Sequence, residues 1–355
     1  MKAKKWCILF VIIYSCVLFI IGVSVVIIDP YFHYHKPLSG IYYAFDKDEY
    51  INDGITKNFS YEGIITGSST TLGFKTEEAG ELFSQQFIRV SYPGEGFRKM
   101  KENLESAFSH NSELHTVIWG VDPMWFILDK DYLNYDEYPD YLYDDNILND
   151  TNYIFNKEIL MDDFIPAIVK TVNKVPTDTF DSVAGYASGS KDKVLSAYKR
   201  PEKENQMADP LETEEYFSML EENLQENIIS IVNAHPEVTF YIFFPPYNIC
   251  WWDSFNQVGK EILLRRIDME QYAIEKCLEC DNIQLFSFND DYDLICDLDN
   301  YTDNVHYSQS VSSYILTSMK EDKHRLTKDN YEEYLRNIRE FYTNYDYDLI
   351  FEGEM

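Results

Sequence analysis

The sequence predicts an α/β protein: a mainly parallel sheet with helices on both faces, set behind one membrane-spanning helix. Three observations predict it. The stretch Trp6 to Ile28 carries no charged residue. Short apolar runs then alternate with amphipathic helical patterns, the signature of βαβ units. One of those runs, Thr239 to Phe244, is rich in β-branched and aromatic residues and is stopped by Pro245-Pro246.

At 1.5 Å per residue, a helix over Trp6 to Ile28 is roughly 34 Å long, against a hydrocarbon core of about 30 Å. Lys2, Lys4 and Lys5 precede it and Asp29 follows it. The excess of lysine predicts a cytoplasmic N-terminus, with the rest of the chain outside. A cleaved signal peptide is the competing reading. The apolar run is long for one, and no A-x-A-like site follows. Ile13-Tyr14-Ser15-Cys16 is a poor lipobox because Tyr14 is bulky, and cleavage there leaves Val17 to Ile28 on the mature chain. We expect an uncleaved single-pass anchor at the cell membrane. The expected divisions are a cytoplasmic tip (1–5), the anchor (6–28), a juxtamembrane segment (29–60), the main domain (61–325), and a C-terminal helix with its tail (326–355). Tyr31, Phe32 and Tyr34 follow the anchor, as in an interfacial aromatic belt. His33 and His35 stand among them without an adjacent acidic or Cys partner, so no metal site is expected there.

The formal net charge is -31. Nucleic acid needs a basic surface, so this balance argues against it as a partner. It also disfavours docking on anionic lipid beyond the lysine tip. Of six cysteines, Cys7 and Cys16 lie in the anchor, and Cys250, Cys277, Cys280 and Cys296 in the exported part. Cys277-Leu278-Glu279-Cys280 is a lone C-x-x-C, which points to a disulfide or to core packing before zinc.

Within the main domain, strands are expected at Ile64 to Thr66, Phe87 to Val90, Thr116 to Trp119, Thr239 to Phe244 and Ile283 to Phe286. Helices are expected at Lys99 to Ser109, Tyr216 to Ala234 and Gln257 to Glu279. A sheet of this kind carries its site at the carboxyl ends of the strands. Two stretches interrupt the alternation. Residues 129–150 are dense in Asp and Tyr but lack a spaced calcium loop, so they read as solvated. Residues 176–210 read as a surface excursion that flanks the site. Lys328 to Asn344 is a charged amphipathic helix, with Tyr331, Tyr334, Leu335, Ile338 and Phe341/Tyr342 on one side, expected to pack on the body.

One constellation specifies chemistry. Ser69 sits in Gly67-Ser68-Ser69-Thr70-Thr71, between a strand and a helix, where backbone N–H groups suit a developing oxyanion. Taken alone, Gly-Ser-Ser is also a common turn and N-cap. Asp303 stands three residues before His306 in Tyr301-Thr302-Asp303-Asn304-Val305-His306-Tyr307. A serine hydroxyl needs a base within hydrogen-bond reach, and the base needs a third group to fix its tautomer. An Asp at i-3 from a His can do this within one turn of chain.

With these motifs the chain resembles the SGNH (GDSL-like) hydrolase superfamily. It is most similar to the membrane-anchored extracytoplasmic branch that holds the lipoteichoic-acid D-alanylation and alginate O-acetyltransferase proteins. The resemblance runs from about Asp29 to about Lys320. It rests on Gly67-Ser68-Ser69, on Gly94 in Ser91-Tyr92-Pro93-Gly94, on Asp303 to Tyr307, and on Asp29-Pro30-Tyr31-Phe32-His33-Tyr34 outside the anchor. It implies a flavodoxin-like three-layer α/β/α sandwich, with Ser69 as nucleophile, His306 as base and Asp303 as its orienting acid. The backbone N–H groups of Ser69 and Gly94 are the implied oxyanion donors, with Gly96 as an alternative; Pro93-Gly94 also reads as a plain turn.

The chain departs from that pattern in two places. Gly-Asp-Ser is Gly-Ser-Ser here. The family's third-block Asn is absent, and Asp122 follows the strand Thr116 to Trp119 in its place. An ionised carboxylate cannot donate to an oxyanion, and losing one such donor costs about 10²–10³ in rate. Asp122 is then a contact for a sugar hydroxyl or a helix cap. Tyr247, Trp251 and Trp252 follow the Thr239 to Phe244 strand and suit either sugar stacking or core packing.

The expected activity is that of an anchored serine acyltransferase or esterase acting on a cell-surface glycan or teichoic-acid-like polymer, with no cofactor and no metal. The resemblance also implies a multispanning O-acyltransferase partner. The alternative is a catalytically inactive scaffold subunit of a polysaccharide modification or export complex.

Overall fold

The computed structural model describes residues 2–134, 138–144, 146–201 and 213–351. Parts of the two expected excursions, 135–137, 145 and 202–210, lie outside the described residues, as do 352–355 of the expected tail. The five apolar runs become β1 (Gly63–Gly67), β2 (Phe87–Ser91), β3 (Thr116–Gly120), β4 (Thr239–Phe244) and β5 (Ile283–Ser287). All five are parallel to their neighbours, in the order β2-β1-β3-β4-β5. This is the flavodoxin-like order, whose switch point lies between β1 and β3. A two-residue strand, β6 (Arg325–Leu326), pairs antiparallel with β5 and makes the sheet six-stranded. β1, β2 and β3 are buried along their whole length. Such strands read as continuous apolar runs because helices cover both faces.

The chain divides into two compact units. One holds the first 59 residues with 136–183, and the other holds 60–135 with 184–355, including the whole sheet. In the sheet-bearing unit, the helix Phe97–His110 extends the expected one by a turn's worth of residues. The segment expected as one helix from Tyr216 to Ala234 is helical throughout but π-helical from Leu224 to Ile229. There the buried amides of Asn223 and Asn227 donate to the carbonyls of Leu128 and Lys130, 2.7 and 2.9 Å away. The next expected helix is broken at Gly259 into Ile249–Val258 and Lys260–Cys277. The last helix, Tyr331–Asn344, buries Tyr334, Leu335, Ile338 and Tyr342. Its Tyr334 hydroxyl reaches the buried Glu270 of Lys260–Cys277 at 2.5 Å. All six cysteines are free thiols, with Cys250, Cys277 and Cys280 packed in the interior.

The smaller unit begins with the helix Lys2–Ile28, long and apolar enough to cross a membrane. The segment after it differs from the expected aromatic belt. Tyr31 and Phe32 are buried. The Phe32 ring packs 5.2 Å from each of Tyr43, Phe45 and Phe59. The reason is Asp29, whose buried carboxylate gathers the turn around itself. It accepts from the backbone N–H groups of His33 (3.0 Å), Tyr34 (2.7 Å) and His35 (3.0 Å), and from the Tyr153 hydroxyl (2.8 Å). These rings are core to their unit and do not face outward.

Candidate active site

β1 ends at Gly67, which lies level with Ser91 of β2 and Gly120 of β3. A Cβ at Gly67 would fall 2.5 Å from Thr71 Cγ2 and 3.0 Å from the Gly120 carbonyl, so only glycine fits this close turn. The chain then enters a short 3-10 turn, Ser69–Thr71, capped by Ser68. Thr71 Oγ1 donates to the Ser68 carbonyl at 2.9 Å and bonds Ser91 Oγ at 2.8 Å. Ser69 is thereby left half-buried at the carboxyl edge of the sheet, at the switch point.

His306 comes from the loop before the helix Gln309–Lys320. An antiparallel bridge between the buried Tyr301 and Tyr307 closes that loop, and Thr302 N–H donates to the His306 carbonyl at 2.8 Å. Asn248 Nδ2, at the start of the helix after β4, holds the Asp303 carbonyl at 2.8 Å. So fixed, His306 Nε2 lies 2.7 Å from Ser69 Oγ, and His306 Nδ1 lies 2.7 Å from Asp303 Oδ2. Asp303 Oδ1 also accepts from the N–H groups of Val305 and His306, at 2.9 and 2.8 Å. Burial pushes the Asp303 carboxyl up, but the bonds from His306 and Val305 outweigh it and leave it below the usual range. An ionised Asp303 accepts a hydrogen bond from Nδ1–H, so Nε2 is the lone-pair nitrogen that faces the Ser69 hydroxyl.

Asp122 sits directly after β3 and is almost wholly buried. Its Oδ2 accepts from Ser68 Oγ and, at 3.1 Å, from Thr70 Oγ1; its Oδ1 accepts from the Tyr247 hydroxyl. Tyr247 is buried as well, tilted 4.7 Å from the Trp251 ring. Asp122 and Tyr247, the expected substrate contacts, are thus both buried and bonded to each other. The carboxylate meets three hydroxyls of its own chain. Asp122 does not cap the turn that follows it. Burial pushes its carboxyl up to about 6, against the opposing bonds from Ser68 and Thr70.

Gly94 has φ +77, and Glu95 N–H donates to the Tyr92 carbonyl at 3.1 Å. Pro93-Gly94 is thus a turn that requires glycine at its third position. Neither Ser69 N–H nor Gly94 N–H meets a backbone acceptor among the described residues.

Tyr186 escaped the sequence reading. It lies in the 176–210 excursion, at a left-handed φ of +57, and its carbonyl accepts from Gln309 N–H at 2.9 Å. Its ring stacks on His306 with centroids 4.6 Å apart, and its hydroxyl bonds Ser69. Burial, with Asp303 nearby, pushes that phenol up to about 12. A non-glycine residue in the left-handed region is strained unless its surroundings fix it, and no composition or spacing signal marks one.

No family model matches the chain, and no curated protein matches it. Among solved structures it is similar to one from Streptococcus pneumonia, provisionally named a platelet activating factor. The two are 13% identical over 78% of this chain and 91% of that one, with a TM-score of 0.36. The strand order above defines the fold.

Proposed function

We propose that this chain is a membrane-anchored serine esterase or acyltransferase of the SGNH type. It acts on acyl esters of a cell-surface glycan or cell-wall polymer, outside the membrane. The observation that carries this reading is the Ser69–His306–Asp303 relay, with both links at 2.7 Å.

In the proposed reaction, Ser69 Oγ bonds to the acyl carbon while its proton passes to His306 Nε2. The carbonyl electrons move to oxygen and return as the donor's C–O bond breaks. The leaving alkoxide takes the proton from Nε2. An acceptor hydroxyl then gives its proton to Nε2 and attacks the acyl-serine, and Ser69 Oγ leaves with that proton. Water as acceptor gives hydrolysis; a sugar hydroxyl gives O-acyl transfer. The anchored branch supports an acyl donor delivered by a multispanning O-acyltransferase.

A second reading has one observation in its favour. Asp122 stands where the family supplies an amide donor, so a scaffold subunit of the same fold is the alternative. Labelling with a fluorophosphonate probe separates the two. We expect wild type to be labelled and Ser69→Ala not. Equal labelling of both, or none of either, sinks the acyl-enzyme reading.

A further inference from the structure

Outside the anchor helix, exposed large apolar side chains among the described residues concentrate in one segment, 147–175; only Leu38, Met124 and Leu349 lie elsewhere. Within it, Ile165, Ile168, Val169 and Val172 are all exposed on the helix Ile165–Val172. Their spacing is i, i+3, i+4, i+7, so they form one face. Met161 continues that face one turn earlier. The opposite side is packed: Ile159, Phe164 and Ala167 are buried. The helix therefore turns its greasier side away from its own unit. Val172 is 74% exposed, and Ile147 and Leu148 are 78% and 82% exposed. Soluble surfaces rarely gather apolar groups in this way without an occupant.

The occupant is fixed by what lies beside the segment. Ile154 and Phe155 pack against the carboxyl-terminal third of the anchor and share an apolar groove with Leu18, Phe19, Val23 and Ile27. A Cβ at Gly22 would lie 3.4 Å from Ile154 Cγ2. If Lys2–Ile28 spans the bilayer, Gly22 is within its outer leaflet, and so is whatever touches it. We infer that residues 147–175 form a second membrane element, a monotopic one. The face Met161, Ile165, Ile168, Val169 and Val172 lies in the acyl–headgroup boundary, with Ile154 and Phe155 as its deepest point beside the anchor. Interfacial helices have this form, apolar on one face and polar on the other. The consequence is that the smaller unit is held to the membrane at two places, which restricts its tilt in a way that a single helix cannot.

The inference rests on the reading of Lys2–Ile28 as a membrane span, and the test keeps the two apart. The full-length protein is reconstituted in phosphatidylcholine vesicles that contain a diazirine-tailed phosphatidylcholine. After irradiation, lipid adducts are mapped by mass spectrometry. We expect adducts on the anchor and on 147–175. Adducts on the anchor alone would overturn the inference, whether a second copy, a partner protein or water covers the face. Adducts on neither segment would overturn the inference and the anchor together. Ile165→Glu, Val169→Glu and Val172→Glu, combined, alter only exposed positions, so thermal unfolding should stay near wild type. In that variant, adducts on Ile165–Val172 should fall to the level seen without diazirine lipid while those on the anchor persist. Undiminished labelling of Ile165–Val172 in the combined variant also counts against the apolar face as the cause.

Discussion

At the scale of single residues, Asp122 is the position where this site departs from expectation. It stands where the resemblance implies an oxyanion donor and instead gathers the hydroxyls of Ser68, Thr70 and Tyr247. Two of those flank Ser69, so Asp122 fixes the turn that presents it. Asp122→Ala removes the shared acceptor of three buried hydroxyls, of which only Ser68 and Thr70 can still bond each other, at 3.2 Å, and should cost about 2–4 kcal/mol in denaturant titrations. Asp122→Asn keeps one acceptor oxygen and should recover most of that; no recovery would show that the charge itself is required. The raised carboxyl also gives a signed pH dependence. The folded state binds this proton more tightly than the unfolded chain. The group's stability contribution is therefore full below its ordinary value of 3.8 and is lost as pH rises through about 6. The difference in stability between wild type and Asp122→Asn should move in that window, and a flat difference from pH 4 to 7 refutes the assignment. Tyr186 has a comparable role on the other side of the relay. Tyr186→Ala removes the ring stacked on His306 and should slow probe labelling by roughly two- to tenfold, since such contacts contribute around 0.5–1.5 kcal/mol. Tyr186→Phe keeps the ring, so labelling near the wild-type rate indicates stacking, whereas a rate as slow as Ala's assigns the effect to the hydroxyl on Ser69. Asp303→Asn should lower the labelling rate by roughly 10³–10⁴, as loss of the correct histidine tautomer does in serine triads.

At the scale of elements, the strands were legible because each is a short apolar run closed by a breaker. β4 stops at Pro245-Pro246, and β1 stops at Gly67. β6 was not legible, since two residues carry no periodicity and exist as a strand only by pairing with β5. Ser69 was legible from its distance to a strand end, and Asp303 and His306 from their spacing to each other; that the two parts meet was not local information. Tyr186 and the inward turn of Asp122 were not legible, because both depend on contacts between distant parts of the chain. The juxtamembrane rings show the same limit. Their composition matches an interfacial belt, and contacts with distant residues turn them inward: Tyr31 donates to Asp163 and Phe32 packs on Tyr43, Phe45 and Phe59. The last helix allows a direct test of element coupling. Glu270 is buried and accepts from Tyr334, Ser287 and Asn289, which ties the helices Lys260–Cys277 and Tyr331–Asn344 to β5 and its following loop. Tyr334→Phe removes one of those donors while it keeps the ring, and should cost about 1–3 kcal/mol of stability. Because Glu270 takes no part in the relay, probe labelling at Ser69 should be unchanged below the unfolding range. A loss of labelling in the folded variant would mean that this network also positions the site.

At the scale of the whole molecule, the dominant property is charge: 61 acidic residues against 30 basic ones, a net -31. A field of that size raises the local concentration of cations and lowers that of anions around the protein. It bears on the acceptor in the proposed reaction, for which an uncharged glycan and a polyanionic wall polymer are the two candidates. An uncharged polysaccharide approaches such a surface without electrostatic work. A polyphosphate-like chain is repelled over a distance that salt sets, about 30 Å at 0.01 M ionic strength and about 8 Å at 0.15 M. KM for a neutral acceptor should therefore change little across that range, while KM for an anionic one should fall severalfold as salt is added. kcat should be insensitive to salt for both, since the proposed acyl-serine step is local. We expect the neutral acceptor to be the better substrate at low salt, with the gap narrowing as ionic strength rises. An anionic polymer whose KM is low at 0.01 M salt and unaffected by more would refute this, and would require a basic track on the protein that reverses the overall field near Ser69.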